Sequence, residues 1–401
     1  MNGNPEKTGK IGYLSGPVDG RKVYEAWQDG THTELLGTSY LTHWFKEVSR
    51  RGREGVVITT HDGPSYEERR GDFTIINRPT SKRGGLAYHL DMFRWMYGSL
   101  ETLEHHGAST TVLTIGPHYR AATLPFRKRG MRFINAFHGA LRPPQNSLLS
   151  PHELLHRLSG FTHLAFGDVS LVASLVIQRQ LANEPGASKR EVYYFVPDYS
   201  ADLFRDIPEP RLDDDPVEVM FAGRVIANKG VFDFLRMCEI VNERSDRDFH
   251  FHVYGDGPDL ENLKRASQAS PCANKFTCHG FMPSAKLVEK YAAADLVVVP
   301  TRAELEEGFA MSVLEGVLAL RPTITSKVCP ALEVVADACM EAEPDNPHSY
   351  ADAILRLTAD PKLLQEKVAA ARRLREDYFD PPNGYDRQLR KALEIAERPN
   401  A

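Results

Sequence analysis

The sequence predicts an α/β protein built of two doubly wound units, and three observations carry that expectation. Lys10–Ser15, a glycine-containing turn, an amphipathic segment and Gly55–Thr60 spell strand, turn, helix and strand, the opening of a parallel sheet. The same alternation restarts at Val217–Ala222, after a run over 205–216 rich in proline and acidic residues that reads as a linker. The chain has 401 residues, enough for two domains of ordinary size. The boundary is expected near residue 205, giving domains 1–204 and 205–380, with an amphipathic helix over 383–398 at the end.

In the first half, 18–34 reads as an inserted loop carrying Trp27, and the next helix opens at Leu36-Gly37 and runs through Val48. Lys46, Arg50, Arg51 and Arg53 are offset by Glu47 and Glu54 and read as a solvated face; contact with anionic lipid is the alternative. Strands are expected at Phe73–Asn77, Thr110–Ile115 and Met131–Phe137, and a helix over Leu86–Leu103. His138-Gly139 follow the last of these strands, at the carboxyl end where open α/β sheets bind ligands. A packed histidine with no role is the other reading. A strand over Thr162–Phe166 and a helix over Ser170–Leu181 are expected next, and Glu191–Phe204 closes the half.

In the second half, the Val217–Ala222 strand ends in Gly223-Arg224, and Lys229-Gly230 lead into a helix over Val231–Ser245. Phe249–Tyr254 is a strand turning at Gly255-Asp-Gly-Pro258; with no third glycine this is not a dinucleotide fingerprint. A short strand over Phe276–Met282 and a helix over Leu287–Ala294 precede the apolar run Leu296–Pro300. After it, Gly308 is expected to open a helix in which Phe309, Val313, Val317 and Leu320 recur at spacings of three and four. Its N-terminal N–H groups, from Gly308 to Met311 through Phe309 and Ala310, would suit an anion. Glu307 precedes that terminus and Glu315 lies on the second turn. Eight residues of helix rise roughly 12 Å, enough to span a diphosphate. Acceptor-only carboxylates at both ends match paired sugar hydroxyls. An exposed acidic loop with a surface glutamate is the bland alternative. Pro322–Ser326 reads as a strand, and 345–360 and 363–378 as helices.

Composition narrows the class. Hydrophobic content of 42% and charged content of 26% are those of a globular protein with full cores, and a net charge of −5 gives no support to nucleic-acid binding. The five cysteines, all between Cys238 and Cys339, are odd in number and lack C-x-x-C pairs, which argues against a disulfide framework or a zinc cluster. They suit a reducing cytosol. The first ten residues hold no apolar core of a signal peptide, and no 18-residue apolar run occurs. The expectation is a cytoplasmic protein, at most peripheral to a membrane; oligomeric state is not specified.

The run E-E-G-F-A-M-S-V-L-E-G at 306–316 resembles the E-G-F-G-x-x-x-x-E element of retaining glycosyltransferases of family 4, which have the GT-B fold of two Rossmann-like domains facing each other across a cleft. G-R-x-x-x-x-K-G at 223–230 resembles that family's phosphate-binding pair, G-D-G-P its G-x-G-P, and V-P-D-Y-S-A-D-L-F at 196–204 its crossing segment, with Asp198 and Tyr199 where Asn-Gly is usual. Gly37 matches a glycine of the family's first phosphate-facing loop, and His138 its strand-end histidine near the transferred sugar. Departures exist: Ala310 replaces a glycine, Leu320-Arg321 replace Cys-Gly, and Cys329-Pro330 replace Gly-Gly. The resemblance implies a nucleotide-diphosphate-sugar donor, a UDP-sugar first and a GDP- or other sugar nucleotide second. Arg224 and Lys229 would bind the diphosphate, Glu307 the sugar and Glu315 the ribose, with Gly223, Gly255, Met282 and Leu287 around the nucleotide. The C-terminal helix would pack back on the first domain. It implies transfer with retention to an acceptor sugar, glycolipid or small natural product, and no metal or cofactor; the Asp213–Asp215 run falls in the linker. A GT-B epimerase or hydrolase, or a catalytically silent GT-B subunit, are the alternatives.

Overall fold

The computed structural model describes residues 9–31, 39–81, 83–115, 117–139, 167–183, 191–210, 215–305 and 307–398. The chain forms two parallel-sheet α/β units of Rossmann-like organisation. The first sheet has eight strands: β1 (Lys10–Leu14), β2 (Gly55–Thr59), β3 (Tyr66–Arg70), β4 (Phe73–Asn77), β5 (Ala108–Leu113), β6 (Arg132–Phe137), β7 (Val169–Val172) and β8 (Glu191–Tyr194). Their spatial order is β3-β4-β2-β1-β5-β6-β7-β8, parallel except for β3. Every residue of β2 and β4 is buried, as expected of strands covered on both faces. The second sheet runs β11-β10-β9-β12-β13-β14, all parallel. Its strands are β9 (Val217–Ala222), β10 (Phe249–Tyr254), β11 (Phe276–Gly280), β12 (Leu296–Val299), β13 (Thr323–Thr325) and β14 (Cys339–Glu341).

Each sheet reverses its winding at one point, between β1 and β5 in the first and between β9 and β12 in the second. Loops leaving the carboxyl ends of strands at such a point diverge and leave a crevice. Residues far apart in sequence, after β9 and after β12, are thereby brought face to face.

Several elements depart from expectation. Within 18–34, Gly20–Gln28 is a helix, capped by Asp19 whose carboxylate accepts from the Arg21 N–H at 3.1 Å. Tyr24 and Trp27 anchor it: Trp27 stacks on Phe45 at 5.5 Å, and Tyr24 meets Phe73 at 5.8 Å. The glycine- and aspartate-rich ends hid its apolar stripe. The highly charged edge strand β3 was not anticipated; charge on an edge deters pairing with other chains. The helix expected over Ser170–Leu181 is instead β7 followed by Leu175–Ala182, with Ser174 as N-cap accepting from the Ile177 N–H at 3.3 Å. The strand expected at Thr162–Phe166 and the site glycine Gly37 lie outside the described residues; the helix after Gly37 is Tyr40–Arg50. The helix expected to open at Gly308 begins at Met311, because Ala310 takes φ 70 and ψ 71 and ends helical geometry there.

The helix Tyr385–Ala396 packs on Tyr40–Arg50, β6 and β7 through Tyr385, Leu389, Ala392 and Leu393. Just past the Tyr40–Arg50 helix, Arg51 and Arg53 pair with Glu397 at the end of the C-terminal helix, while Arg50 and Arg51 pair locally with Glu47. That face is ion-paired structure. The chain crosses between the sheets twice, and the crossings bond to each other: the Tyr385 N–H donates to the Val196 carbonyl at 3.2 Å, and the Val196 N–H to Asn383 at 3.1 Å. Asp198 beside them accepts from the Asp386 N–H at 3.2 Å and lies 3.2 Å from His43 Nε2. Burial, then the neighbouring Asp386, pushes the Asp198 carboxyl up to about 7.

Candidate functional site

The carboxyl ends of β9 to β12 gather nearly all the singled-out residues of the second half. Two adjoining pockets share Gly223, Arg224 and Leu287 and so form one groove. One arm, about 260 Å³, is lined by Tyr254, Gly255, Asp256, Phe281 and Met282. The other, about 400 Å³, is lined by Lys229, Glu307, Met311, Ser312 and Glu315. The groove needs close backbone packing beneath it. Gly255 has φ 147, and a Cβ there would lie 1.8 Å from the Gly223 carbonyl oxygen.

Arg224 stands at the exposed end of β9, on both arms, and its side chain has no hydrogen bond or ion pair among the described residues. Lys229, one short 3₁₀ turn later, is tied to Glu307: its ammonium donates to Oε2 of that carboxylate, and both side chains are mostly buried. Topology explains the pair, since β9 and β12 flank the switch point.

Glu315 is buried on the second turn of Met311–Leu318. The Tyr291 hydroxyl donates to its Oε2 at 2.9 Å and the Tyr199 hydroxyl to its Oε1 at 3.4 Å. Burial pushes its carboxyl up to about 7, against the lowering effect of the two hydroxyls. Burial also holds both tyrosines well above their ordinary value, so they remain donors. Neither tyrosine was given a site role from sequence, where Tyr199 was noted only as a departure from the resembling motif. Their link to Glu315 spans 116 and 24 residues and has no local signal.

Besides Tyr199, the first half meets this groove at the loop after β6. A Cβ on Gly308 would lie 1.8 Å from the carbonyl oxygen of His138, so glycine is what lets the two loops touch. His138 stands directly after β6. Its ring lies 4.3 Å from that of Tyr40, 5.5 Å from Phe195 and 6.2 Å from Tyr385. Both ring nitrogens are buried with no hydrogen-bond partner among the described residues, and burial lowers the imidazole to about 4. It is therefore neutral at pH 7. The remaining donor-loop positions divide: Phe309 and Ala310 are buried behind the groove, while Met311 is partly exposed on it.

The described residues contain no cluster of three or more His, Cys, Asp or Glu with metal-site geometry, and no helix among them is long and apolar enough to cross a membrane.

Comparison with known proteins agrees with this geometry. Residues 204–374 match the family described as glycosyl transferases group 1. An alpha-D-kanosaminyltransferase from Streptomyces kanamyceticus is 31% identical over 160 residues, 39% of this chain and 40% of that protein. A 2-deoxystreptamine glucosyltransferase from the same organism is 27% identical over 164 residues, 40% of this chain and 41% of that one. The chain thus spans about two fifths of the curated relatives it matches. Whole-chain likeness is structural. A sucrose-phosphate synthase from Thermosynechococcus elongatus superposes with TM-score 0.71 at 14% identity, covering 96% of this chain and 98% of that one. The Anabaena HepE protein in complex with UDP and glucose gives 0.67 at 14% identity, covering 96% and 99%. The chain has the GT-B fold, and its segment 204–374 matches the glycosyl transferases group 1.

Proposed function

We infer that the protein is a glycosyltransferase moving a sugar from a nucleotide-diphosphate sugar to an acceptor hydroxyl, with retention of configuration. The observation that carries this reading is the single groove in which Arg224, the Lys229–Glu307 pair and Glu315 succeed one another. The nucleobase would occupy the arm of Gly255, Phe281, Met282 and Leu287, with the ribose on Glu315. The diphosphate would lie between Arg224, Lys229 and the N–H groups leading into Met311–Leu318.

The chemistry follows from the ion pair. In the free protein Lys229 and Glu307 satisfy each other. A donor offers each a better partner: the diphosphate takes the ammonium, and sugar hydroxyls donate to the carboxylate. As the glycosidic bond breaks, negative charge grows on the departing phosphate, where the two cations already drawn to the bound diphosphate stabilise it. The acceptor hydroxyl attacks from the face the phosphate leaves and passes its proton to a phosphate oxygen. His138, neutral and beside Gly308, borders the transferred sugar as an uncharged wall. The proposed donor is a UDP-sugar, with a GDP-sugar second. One relative is named a 2-deoxystreptamine glucosyltransferase and another an alpha-D-kanosaminyltransferase; these names support a small polyhydroxylated natural product as the proposed acceptor. We place the enzyme in the cytosol.

The test is a panel of labelled nucleotide-sugars scored for thermal protection and for turnover with and without 2-deoxystreptamine. One UDP- or GDP-sugar is expected to raise Tm by mass action and to lose its sugar to the acceptor. Conversion of the sugar without any acceptor dependence would point to an epimerase or hydrolase. No protection and no turnover by any donor would overturn the reading.

A further inference from the structure

We propose that Tyr199 is a positioning residue that fixes the Glu315 carboxylate for the donor's ribose and ties that grip to the segment crossing between the two sheets. The proposal rests on the donor placement given above. Tyr199 occupies a position where the resembling motif carries glycine, which has no hydroxyl to offer, so the contact belongs to this chain's own sequence.

The geometry is specific. Glu315 is buried and its two oxygens are held from opposite elements, Oε2 by Tyr291 of the helix Ser284–Ala293 and Oε1 by Tyr199 of the crossing segment. A carboxylate oxygen has two lone-pair directions. One hydroxyl on each oxygen therefore orients the group and leaves the second direction on each for a ribose hydroxyl. Tyr199 is itself immobilised. It is buried, its ring meets Phe204 at 5.9 Å, and the adjacent Asp198 is held by the Asp386 N–H and lies against His43. The position of one ribose ligand is thus tied to the helix Tyr40–Arg50 of the first unit and to the C-terminal helix.

The charge state responds to the same contacts. The groups facing Glu315 are Tyr199, Tyr291 and, in the shared pocket, Ser312, Arg224 and the Lys229–Glu307 pair. Hydroxyl donors favour the ionised carboxylate, so removing one must move its titration to higher pH. The sign follows: ribose binding gains strength as Glu315 ionises, and UDP affinity rises with pH through its midpoint.

The experiment measures UDP affinity by calorimetry from pH 5.5 to 8.5, with GDP as second probe, on the wild type, Tyr199→Phe, Tyr291→Phe and Glu315→Gln, together with Tm. In Tyr199→Phe, UDP affinity at pH 7 is expected to fall about fivefold and the midpoint to move up, while the ratio of UDP-sugar to UDP affinity stays at the wild-type value. Tyr291→Phe should act in the same direction. Glu315→Gln should weaken UDP and flatten the pH profile. If Glu315→Gln leaves UDP affinity unchanged, the donor placement is wrong. If Glu315→Gln weakens UDP but Tyr199→Phe moves neither affinity nor midpoint, the donor placement stands and the positioning role is overturned. A fall in Tm with an unmoved midpoint also overturns it, because that is a packing role.

Discussion

The two faces of the cleft are built from opposite chemistry. The second sheet presents charge on strand-end loops: Arg224 exposed, Lys229 and Glu307 paired, Glu315 beneath them. The first unit instead packs His138, an imidazole that burial keeps neutral, among the rings of Tyr40, Phe195 and Tyr385. The difference teaches how such a cleft divides labour. A leaving diphosphate is recognised by fixed charge and helix N–H groups, which one sheet can supply from consecutive loops. A neutral polyhydroxylated partner needs shape and a dry wall, which must be assembled from several segments.

Removing the charge tests the contrast hardest. Arg224→Ala and Lys229→Ala should each lower kcat by about 10²- to 10³-fold, roughly 3–4 kcal/mol of transition-state stabilisation, with Tm little changed in Arg224→Ala and lowered in Lys229→Ala, where Glu307 loses its partner. Near-normal turnover in both variants would remove the diphosphate from this face.

Titration sharpens the contrast, because the two faces are expected to lose stability at opposite ends of the pH scale. Glu315 is raised to about 7 in the folded chain, so its contribution is full below the ordinary glutamate value and is lost as pH rises through about 7. His138 is lowered to about 4, so its contribution is present above the ordinary histidine value and is lost as pH falls through about 4. Without ligand, Glu315→Gln should therefore gain stability relative to wild type between pH 5 and pH 8. His138→Phe should gain between pH 7 and pH 4. Each gain is on the order of 3 kcal/mol, measured by thermal or denaturant unfolding at the two pH values. Parallel profiles for variant and wild type would contradict the burial of either group.

The smallest expected effects lie at the two ends of the helix Met311–Leu318. Ala310 and Leu320 hold φ of 70° and 59°, which costs an L-residue about 1 kcal/mol or more. Ala310→Gly should leave stability unchanged or raise it by about 1 kcal/mol, read from Tm, whereas Leu320→Gly should lower it, because its buried side chain is worth about 2 kcal/mol or more; a clear loss in Ala310→Gly would show that its methyl group outweighs the backbone.

The same contrast explains what could be read from sequence. The second half was legible because its site residues follow strands at short fixed spacings, so Gly223-Arg224, Lys229 and Glu307 fell where the switch point places them. The alternation also gave most strands of both sheets, but not β3, β7 or the short edge strand β14. The start of Met311–Leu318 was misread by three residues because apolar spacing continued through Phe309 while Ala310 broke the backbone. The surroundings of His138 were not legible, since Tyr40, Phe195 and Tyr385 arrive from three distant segments. Tyr199 and Tyr291 were missed for the same reason. The helix Gly20–Gln28 was lost behind turn-forming residues at its ends.

The central claim is that the donor lies along Met311–Leu318 with its ribose at Glu315 and its sugar at Glu307. Titration calorimetry of Glu307→Gln and Glu315→Gln with free UDP and with the UDP-sugar, or with the GDP pair if that is the donor bound, tests it most directly. Glu315→Gln is predicted to weaken both ligands tenfold or more, since a lost charge-assisted hydrogen bond costs roughly 1.5–3 kcal/mol. Glu307→Gln is predicted to leave the free nucleotide almost unaffected while reducing transfer. Equal weakening of the free nucleotide by both substitutions, or no effect of either on any ligand, would contradict the account.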